Sequence, residues 1–136
     1  MFLSILTHIH AQIFNRIYGT EDDYNDYGQA VIQSSDEGYI IVGSNSFPGV
    51  YNSLFVLKIY SDGDTLYSKQ YDFSPGGDVG FAVIQLQDSS YVVCGTRYDS
   101  TEGASDSYLL KLNKSGEIIW NNQIEGGFND RAYDFK

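Results

Sequence analysis

Carboxylates are the most abundant side chains that could do chemistry, and they are densest near the start of the chain. The segment Glu21–Asp26 holds four acidic side chains in six residues. Calcium takes six to eight oxygen ligands from carboxylates and carbonyls. The spacing differs from that of an EF-hand loop, and the equivalent segment further along keeps only Asp78. We expect a solvated turn here, and calcium binding at Glu21–Asp26 stays open.

Three aspartates recur at intervals of 52 residues. Asp26, Asp78 and Asp130 each stand two positions before a small residue, Gly28, Gly80 or Ala132. An aspartate at the entry to a strand can accept backbone N–H bonds and hold a turn. Recurrence in every copy favours that structural role over a repeated metal or ligand site.

Two lysines also recur, each after a pair of apolar residues. Lys58 and Lys111 stand near the ends of apolar runs, where a lysine stem extends along the sheet to reach water or an acid. Asp106 is the acid we expect beside Lys111. No acid–base partners accompany either lysine, so neither is assigned a catalytic role.

The other reactive side chains are few. Cys94 is the only cysteine, so no internal disulfide can form, and we expect it to be a small buried hydrophobe. The two histidines, His8 and His10, lie outside the recurring sequence, which argues against a Ser-His-Asp triad or a zinc site. A phosphate-binding glycine loop is absent. We assign no catalytic, cofactor-binding or metal-ligating residue, although paired carboxylates for glycoside hydrolysis stay open because their pairing is spatial.

The candidate side chains lie within a sequence repeat, and the fold of that repeat positions them. Residues 28–43 read GQAVIQSSDEGYIIVG and residues 80–95 read GFAVIQLQDSSYVVCG, 52 residues apart. The echo continues at a spacing of 53, and it divides the chain into unit 1 at about 13–66, unit 2 at about 67–119 and the start of unit 3 at 120–136. Such a period is typical of a small supersecondary unit that buries its apolar face only against neighbouring copies.

Each unit contains four short apolar runs separated by turn residues. In unit 1 the runs are Gln29–Ser34, Tyr39–Ser44, Leu54–Tyr60 and Thr65–Tyr71. Their Val, Ile, Tyr and Phe content predicts strands. The third run is almost continuously apolar, so we expect it to be covered on both faces, and the fourth alternates as an outer strand does. The residues expected between sheets are Val31, Ile32, Ile41, Val56, Val83, Ile84, Val93 and Leu109.

Four antiparallel strands in about 50 residues is the size of one β-propeller blade. The pattern Asp-x-Gly-x-Ala-x-Ile, Asp-x-x-Tyr-(Ile/Val)-(Ile/Val)-x-Gly and Leu-Lys-(Ile/Leu)-x-x-x-Gly, then an aromatic residue, resembles the seven-bladed β-propeller repeat of secreted and surface proteins of the Bacteroidetes type. The resemblance covers about residues 13–135 and implies an all-β, partial and open propeller of about two blades. Two units paired as an open sandwich is the alternative. The segment from Gly116 to Trp120 resembles the Gly-x-x-x-Trp end of quinoprotein-type propeller repeats, which implies that Trp120 is a packing wedge between blades rather than a ligand platform.

Charge and the first residues bear on location and partners. Acidic residues outnumber basic ones by 18 to 8, for a formal charge of −10, which makes nucleic acid an improbable partner. No apolar run is long enough to span a membrane. Residues 1–11 end in a small residue after an apolar stretch, and we expect them to be the remnant of a signal peptide that precedes the repeat fragment 12–136. A secreted or cell-surface location follows.

The function expected from these features is non-catalytic. We predict a scaffold or recognition module that is neither an enzyme nor a carrier of a cofactor. Protein or carbohydrate partners would bind through the unshared loops, mainly 45–52 and 97–105, and further blades of the same protein are expected. The alternative is a fragment of a propeller-fold hydrolase or lyase whose active site needs other blades.

Overall fold

The computed structural model describes residues 15–19, 25–46, 52–124 and 129–135. These residues form eight antiparallel strands and no helix. Sheet A contains four strands in sequential order and sheet B contains the next four, also in sequential order. The strands are β1 Asn25–Gln33, β2 Tyr39–Ser46, β3 Ser53–Ile59, β4 Thr65–Tyr71, β5 Asp78–Gln85, β6 Tyr91–Asp99, β7 Ala104–Leu112 and β8 Ile118–Ile124. The fold class is thus confirmed: the sheets form an open all-β arrangement, as expected of two blades of a partial propeller.

The two sheets are built in the same way. In each, the pairing of the first two strands shifts by one residue, at Gly28/Ala30 and at Gly80/Ala82. At the shift, Gly43 and Gly95 lie so close to the backbone of the first strand that a Cβ atom would approach the carbonyl oxygens of Tyr27 and Val79 to 1.7 and 2.0 Å. Only glycine fits there, which explains why it recurs at these two positions.

Strand order follows from the apolar patterns. All seven residues of β3 are buried, as its continuous apolar sequence predicts. β4 is mostly exposed and lies at the outer edge of sheet A, which confirms the alternation expected of an outer strand. The Asp36–Gly38 segment forms the predicted β1–β2 turn, with Glu37 at a φ of 65°.

The sheets pack face to face. We call the side of each sheet that points toward the next copy its forward face, and the opposite side its rear face. The forward face of sheet A, including Ile40, Val42, Leu54 and Val56, packs on the rear face of sheet B, including Val83, Val93, Tyr108 and Leu110. These eight side chains are at most 4% exposed, and they form the main core. A smaller cluster of Phe55, Leu57 and Ile59 lies on the rear face of sheet A.

The expected core needs one correction. Val56, Val83 and Val93 are buried as predicted, Ile32 packs at the margin of the main core, and Ile41 joins the smaller cluster. Val31 and Ile84, however, are 60% and 36% exposed, and Leu109 is only half-buried. Val31 lies on the rear face of sheet A, and Ile84 and Leu109 lie on the forward face of sheet B. No described sheet covers either face.

Candidate functional site

One end of the sheets gathers the recurring aspartates and the unshared loops. Asp78 is fully buried there. Its Oδ2 accepts backbone N–H bonds from Phe73 at 2.8 Å and Ser74 at 3.3 Å, in the loop that leaves sheet A. This geometry confirms the turn-holding role predicted for Asp78. Burial raises the pKa of this carboxyl, although the bonds from Phe73 and the charge of Arg97 oppose the rise.

Arg97 is a residue of this end whose role the sequence did not reveal. Its Nε lies 3.4 Å from Asp78 Oδ1, and its guanidinium stacks over Phe73 at 4.9 Å. Its Nη1 donates to Gln123 Oε1 at 2.9 Å, and Gln123 in turn donates to Asp106 Oδ2 at 2.6 Å. Sheet A has Asn45 at the position that corresponds to Arg97, so residues shared between the two units do not reveal this network. The sequence did offer one signal for this network, because unit 2 has a basic residue, Arg97, where unit 1 has the neutral Asn45.

The recurring lysines pair with the turn aspartates. Lys58 Nζ lies 2.9 Å from Asp36 Oδ1, and Lys111 Nζ lies 2.9 Å from Asp88 Oδ2. The expectation of Asp106 as the partner of Lys111 was wrong, because Asp106 faces Gln123 at the other end of the strand. Each pair ties the first hairpin of its sheet to the third strand, which is a structural role.

The same pair has different surroundings in the two sheets. The Lys58 side chain is 1% exposed beneath sheet B, and the Lys111 side chain is 18% exposed on the uncovered forward face. The pKa of Asp88 falls to about 2 because Ser90 and then Lys111 donate hydrogen bonds to it. The pKa of Asp36 is also lowered, since bonds from Ser34, Lys58 and Gly38 outweigh its desolvation.

Residues of the loop 97–105 and its neighbours line an open cavity of about 270 Å³. Asp99 holds this loop through bonds from the Thr101 amide and hydroxyl and from the Glu102 amide. The cavity combines an aromatic ring, hydroxyls, an amide and a guanidinium. Its lining includes Asn52, Phe81, Thr96, Tyr98, Ser105 and Arg131. Such a mixture suits a polar ligand with one apolar face. In the loop 45–52, residues 47–51 lie outside the described part of the chain.

The remaining candidates from the sequence are Cys94, the acidic segment Glu21–Asp26 and residues 1–11. Cys94 is buried, its Sγ lies 3.8 Å from the Ala132 carbonyl oxygen, and burial raises the pKa of its thiol, as expected of a small buried hydrophobe. Of the Glu21–Asp26 segment only Asn25 and Asp26 are described, and residues 1–11, which we expect to be a signal remnant, lie outside the described residues. Among the described residues, no three His, Cys, Asp or Glu side chains are grouped as a metal site requires.

Trp120 is the counterpart of a residue that joins the two sheets. Tyr67 of sheet A, 53 positions earlier, packs against Gly116 in the β7–β8 turn of sheet B. Trp120 occupies the same place in sheet B and is 36% exposed. The position serves as a wedge in the one complete seam between sheets, and Trp120 has no described sheet to enter.

Neither the family models nor the curated proteins contain a match to this chain. Within the described residues, no helix has the length and apolarity needed to cross a membrane.

Proposed function

We propose that this chain is a non-catalytic repeat module of a secreted or cell-surface protein, built as part of a β-propeller of the bacterial type that its sequence resembles. In this role the sheets form the scaffold, and the loops at the Asp78 end form the surface that meets other molecules. Further sheets of the same repeat extend the array.

One observation carries the proposal: the contacts between the two sheets recur at both ends of the pair. The Asp78 amide donates to the Asn52 carbonyl at 2.6 Å, and the Asp130 amide donates to the Ser105 carbonyl at 2.7 Å. Residues 129–135 therefore contact sheet B in the same way as the start of β5 contacts sheet A. At the other end, the Tyr18 hydroxyl donates to the Gly63 carbonyl at 2.7 Å, as the Tyr71 hydroxyl donates to the Gly116 carbonyl 53 residues later. Both sets of contacts are expected if each unit is one member of a series of repeats.

The scaffold role can be tested by adding a sheet. A copy of residues 33–72 placed after Lys136 completes a third unit, which would cover Ile84 and Leu109. We expect a higher urea midpoint, because nearest-neighbour interfaces supply much of the stability of repeat proteins. A matched extension with Asp in place of the copied Phe55 and Leu57 should give no gain. Equal midpoints for the two extensions would contradict the proposal.

The recognition role can be tested at the loop cavity. Tyr98 is 40% exposed at its rim, and a ring in that position can stack on a sugar or a peptide. We expect the labelled chain to bind members of an array of saccharides and extracellular proteins, and Tyr98→Ala to weaken binding about tenfold. Ile84→Asp, on the forward face of sheet B, is the control. Binding that survives Tyr98→Ala would place recognition elsewhere.

A further inference from the structure

The open cavity beside the loop 97–105 is lined by residues that the repeat does not explain. Arg131, Thr96 and Tyr98 are three of them. The residues 52 positions earlier are Val79, Ser44 and Ser46. The earlier copy therefore has neither the guanidinium group nor the aromatic ring. Residues that build every unit recur, and these do not, so their chemistry bears on what the cavity binds.

Contacts on either side of Arg131 hold it at the cavity. The Asp130 amide donates to the Ser105 carbonyl at 2.7 Å. On the other side, the centroid of the Tyr133 ring lies 4.9 Å from that of Phe81. The backbone at Arg131 is thus attached to sheet B both before and after this residue, and its side chain is positioned without a ligand.

The guanidinium group of Arg131 is uncommitted. The residue is exposed, and within the described ranges it forms no ion pair and donates only a long bond, from Nη1 to Tyr133 Oη at 3.4 Å. The described lining of the cavity contains no acidic residue. A guanidinium group matches a carboxylate with two parallel N–H bonds. The cavity therefore offers a carboxylate site in a chain whose formal charge is −10.

Thr96 gives the cavity a buried hydroxyl. The residue is 8% exposed, and its Oγ1 has no hydrogen-bond partner in the described part of the chain. Buried polar atoms without a partner are rare and destabilising, and a ligand hydroxyl in the cavity can pair with this one. Ser105 and Asn52 line the same cavity and can bond further hydroxyls. The lining thus suits a ligand with several hydroxyls as well as a carboxylate.

We infer that this cavity binds one residue of a carboxylate-bearing sugar, a hexuronic acid. Its carboxylate pairs with Arg131, a ring hydroxyl bonds Thr96, and its apolar face stacks on Tyr98 at the rim. The volume of about 270 Å³ is slightly smaller than that of pockets for drug-sized ligands, which fits a single sugar residue. The end of a peptide chain shares the carboxylate but lacks the hydroxyls. This inference rests on the proposed recognition role and adds the class of ligand.

The test compares sugars that differ in one group. Methyl galacturonide and methyl glucuronide carry a carboxylate where methyl galactoside and methyl glucoside carry a neutral hydroxymethyl group. Each is titrated into the isotopically labelled full chain, with the Thr96 amide and the Arg131 Nε–H as NMR reporters. We expect at least one uronide to bind about tenfold more tightly than its neutral counterpart.

Three variants separate the roles of charge and hydroxyl. Arg131→Gln should weaken uronide binding about tenfold and leave the neutral glycosides unaffected. Arg16→Gln removes the same charge from a residue that pairs with Asp64, and it should leave all affinities unchanged. Thr96→Val should weaken binding about fivefold while the urea midpoint of the free chain stays equal or rises, because valine removes a buried hydroxyl that has no partner. A merely structural role for Thr96 would lower that midpoint.

Four results would overturn the inference. They are no binding of either uronide, equal binding of each uronide and its neutral counterpart, uronide binding that survives Arg131→Gln, and tighter binding of triglycine than of both uronides. The proposed function is judged separately. Neutral saccharides or proteins that bind through Tyr98, together with a stabilising extension after Lys136, would leave it intact when the inference fails.

Discussion

At the scale of single residues, side chains of the same type at equivalent positions in the two sheets differ in their burial. Lys58 and Lys111 have the same strand position and the same kind of partner, yet one is sealed beneath a sheet and the other reaches the surface. An ion pair that is buried on one side is costly to break, because the remaining charge stays out of water. A pair near solvent contributes little.

This difference gives a prediction with an internal control. Asp36→Ala removes the half-exposed carboxylate partner of a buried ammonium group, which keeps its bond to the Ile59 carbonyl, and should lower the free energy of unfolding by roughly 1 to 2 kcal/mol. Asp88→Ala removes the matching partner in sheet B and should cost clearly less, because this ion pair lies near solvent. Both variants lose similar serine contacts in the turn, so the comparison isolates burial. Urea unfolding measures both, and equal losses would contradict the account.

The pKa of Asp88 gives a second prediction at this scale. Its folded value of about 2 lies below the ordinary 3.8, so its ionised form stabilises the fold above that ordinary value. This contribution is lost as the pH falls from about 4 to about 2. Ser90→Ala should raise the pKa of Asp88 more than Lys111→Met does, since Ser90 provides the largest lowering. A carboxyl titration by NMR decides the order, and a larger effect of Lys111→Met would reverse it.

At the scale of strands and sheets, the sequence was a good guide to elements and a poor guide to faces. Apolar runs and turn glycines predicted the strands of unit 1 closely, although β1 begins earlier, at Asn25. They did not show which of two adjacent apolar residues faces a neighbour. Val31 and Val83 are equivalent in sequence, and their burial differs only because sheet A lies behind one of them.

The same observation gives a prediction about stability. Val83→Ala should lower the free energy of unfolding by about 2 kcal/mol, since it removes buried methyl groups from the core. Val31→Ala, at an exposed site, should stay within about 0.5 kcal/mol of the wild type. Denaturant unfolding of the two variants checks this pair. A large loss for Val31→Ala would mean that the rear face of sheet A is covered in solution.

The candidate site could be predicted only in part, for a physical reason. Asp78 was identified as a turn residue because it recurs, and recurrence reports what builds each unit. Arg97 was missed because its partners, Phe73, Asp78 and Gln123, come from two segments of the chain that are both distant from it in sequence. A spatial network of that kind leaves no local pattern in the sequence.

At the scale of the whole molecule, the two described sheets repeat one arrangement. One seam is complete, between the forward face of sheet A and the rear face of sheet B, and it holds the main core. Partial copies of that seam lie at both ends, made by residues 15–19 and 129–135. Under the proposed function, exposed apolar residues such as Val31, Ile84 and Trp120 are positions against which further sheets would pack, since large free apolar areas mark interaction sites.

The single tryptophan reports most directly on this account. Trp120 occupies the place from which Tyr67 enters the seam, and the extension by residues 33–72 contains no tryptophan. Its emission spectrum should therefore be measured in the chain and in the chain extended after Lys136. The account predicts emission at shorter wavelength and less quenching by iodide in the extended chain, because the third sheet buries Trp120. An unchanged spectrum and unchanged quenching in a folded extended chain would contradict the claim that these sheets stack as members of one series.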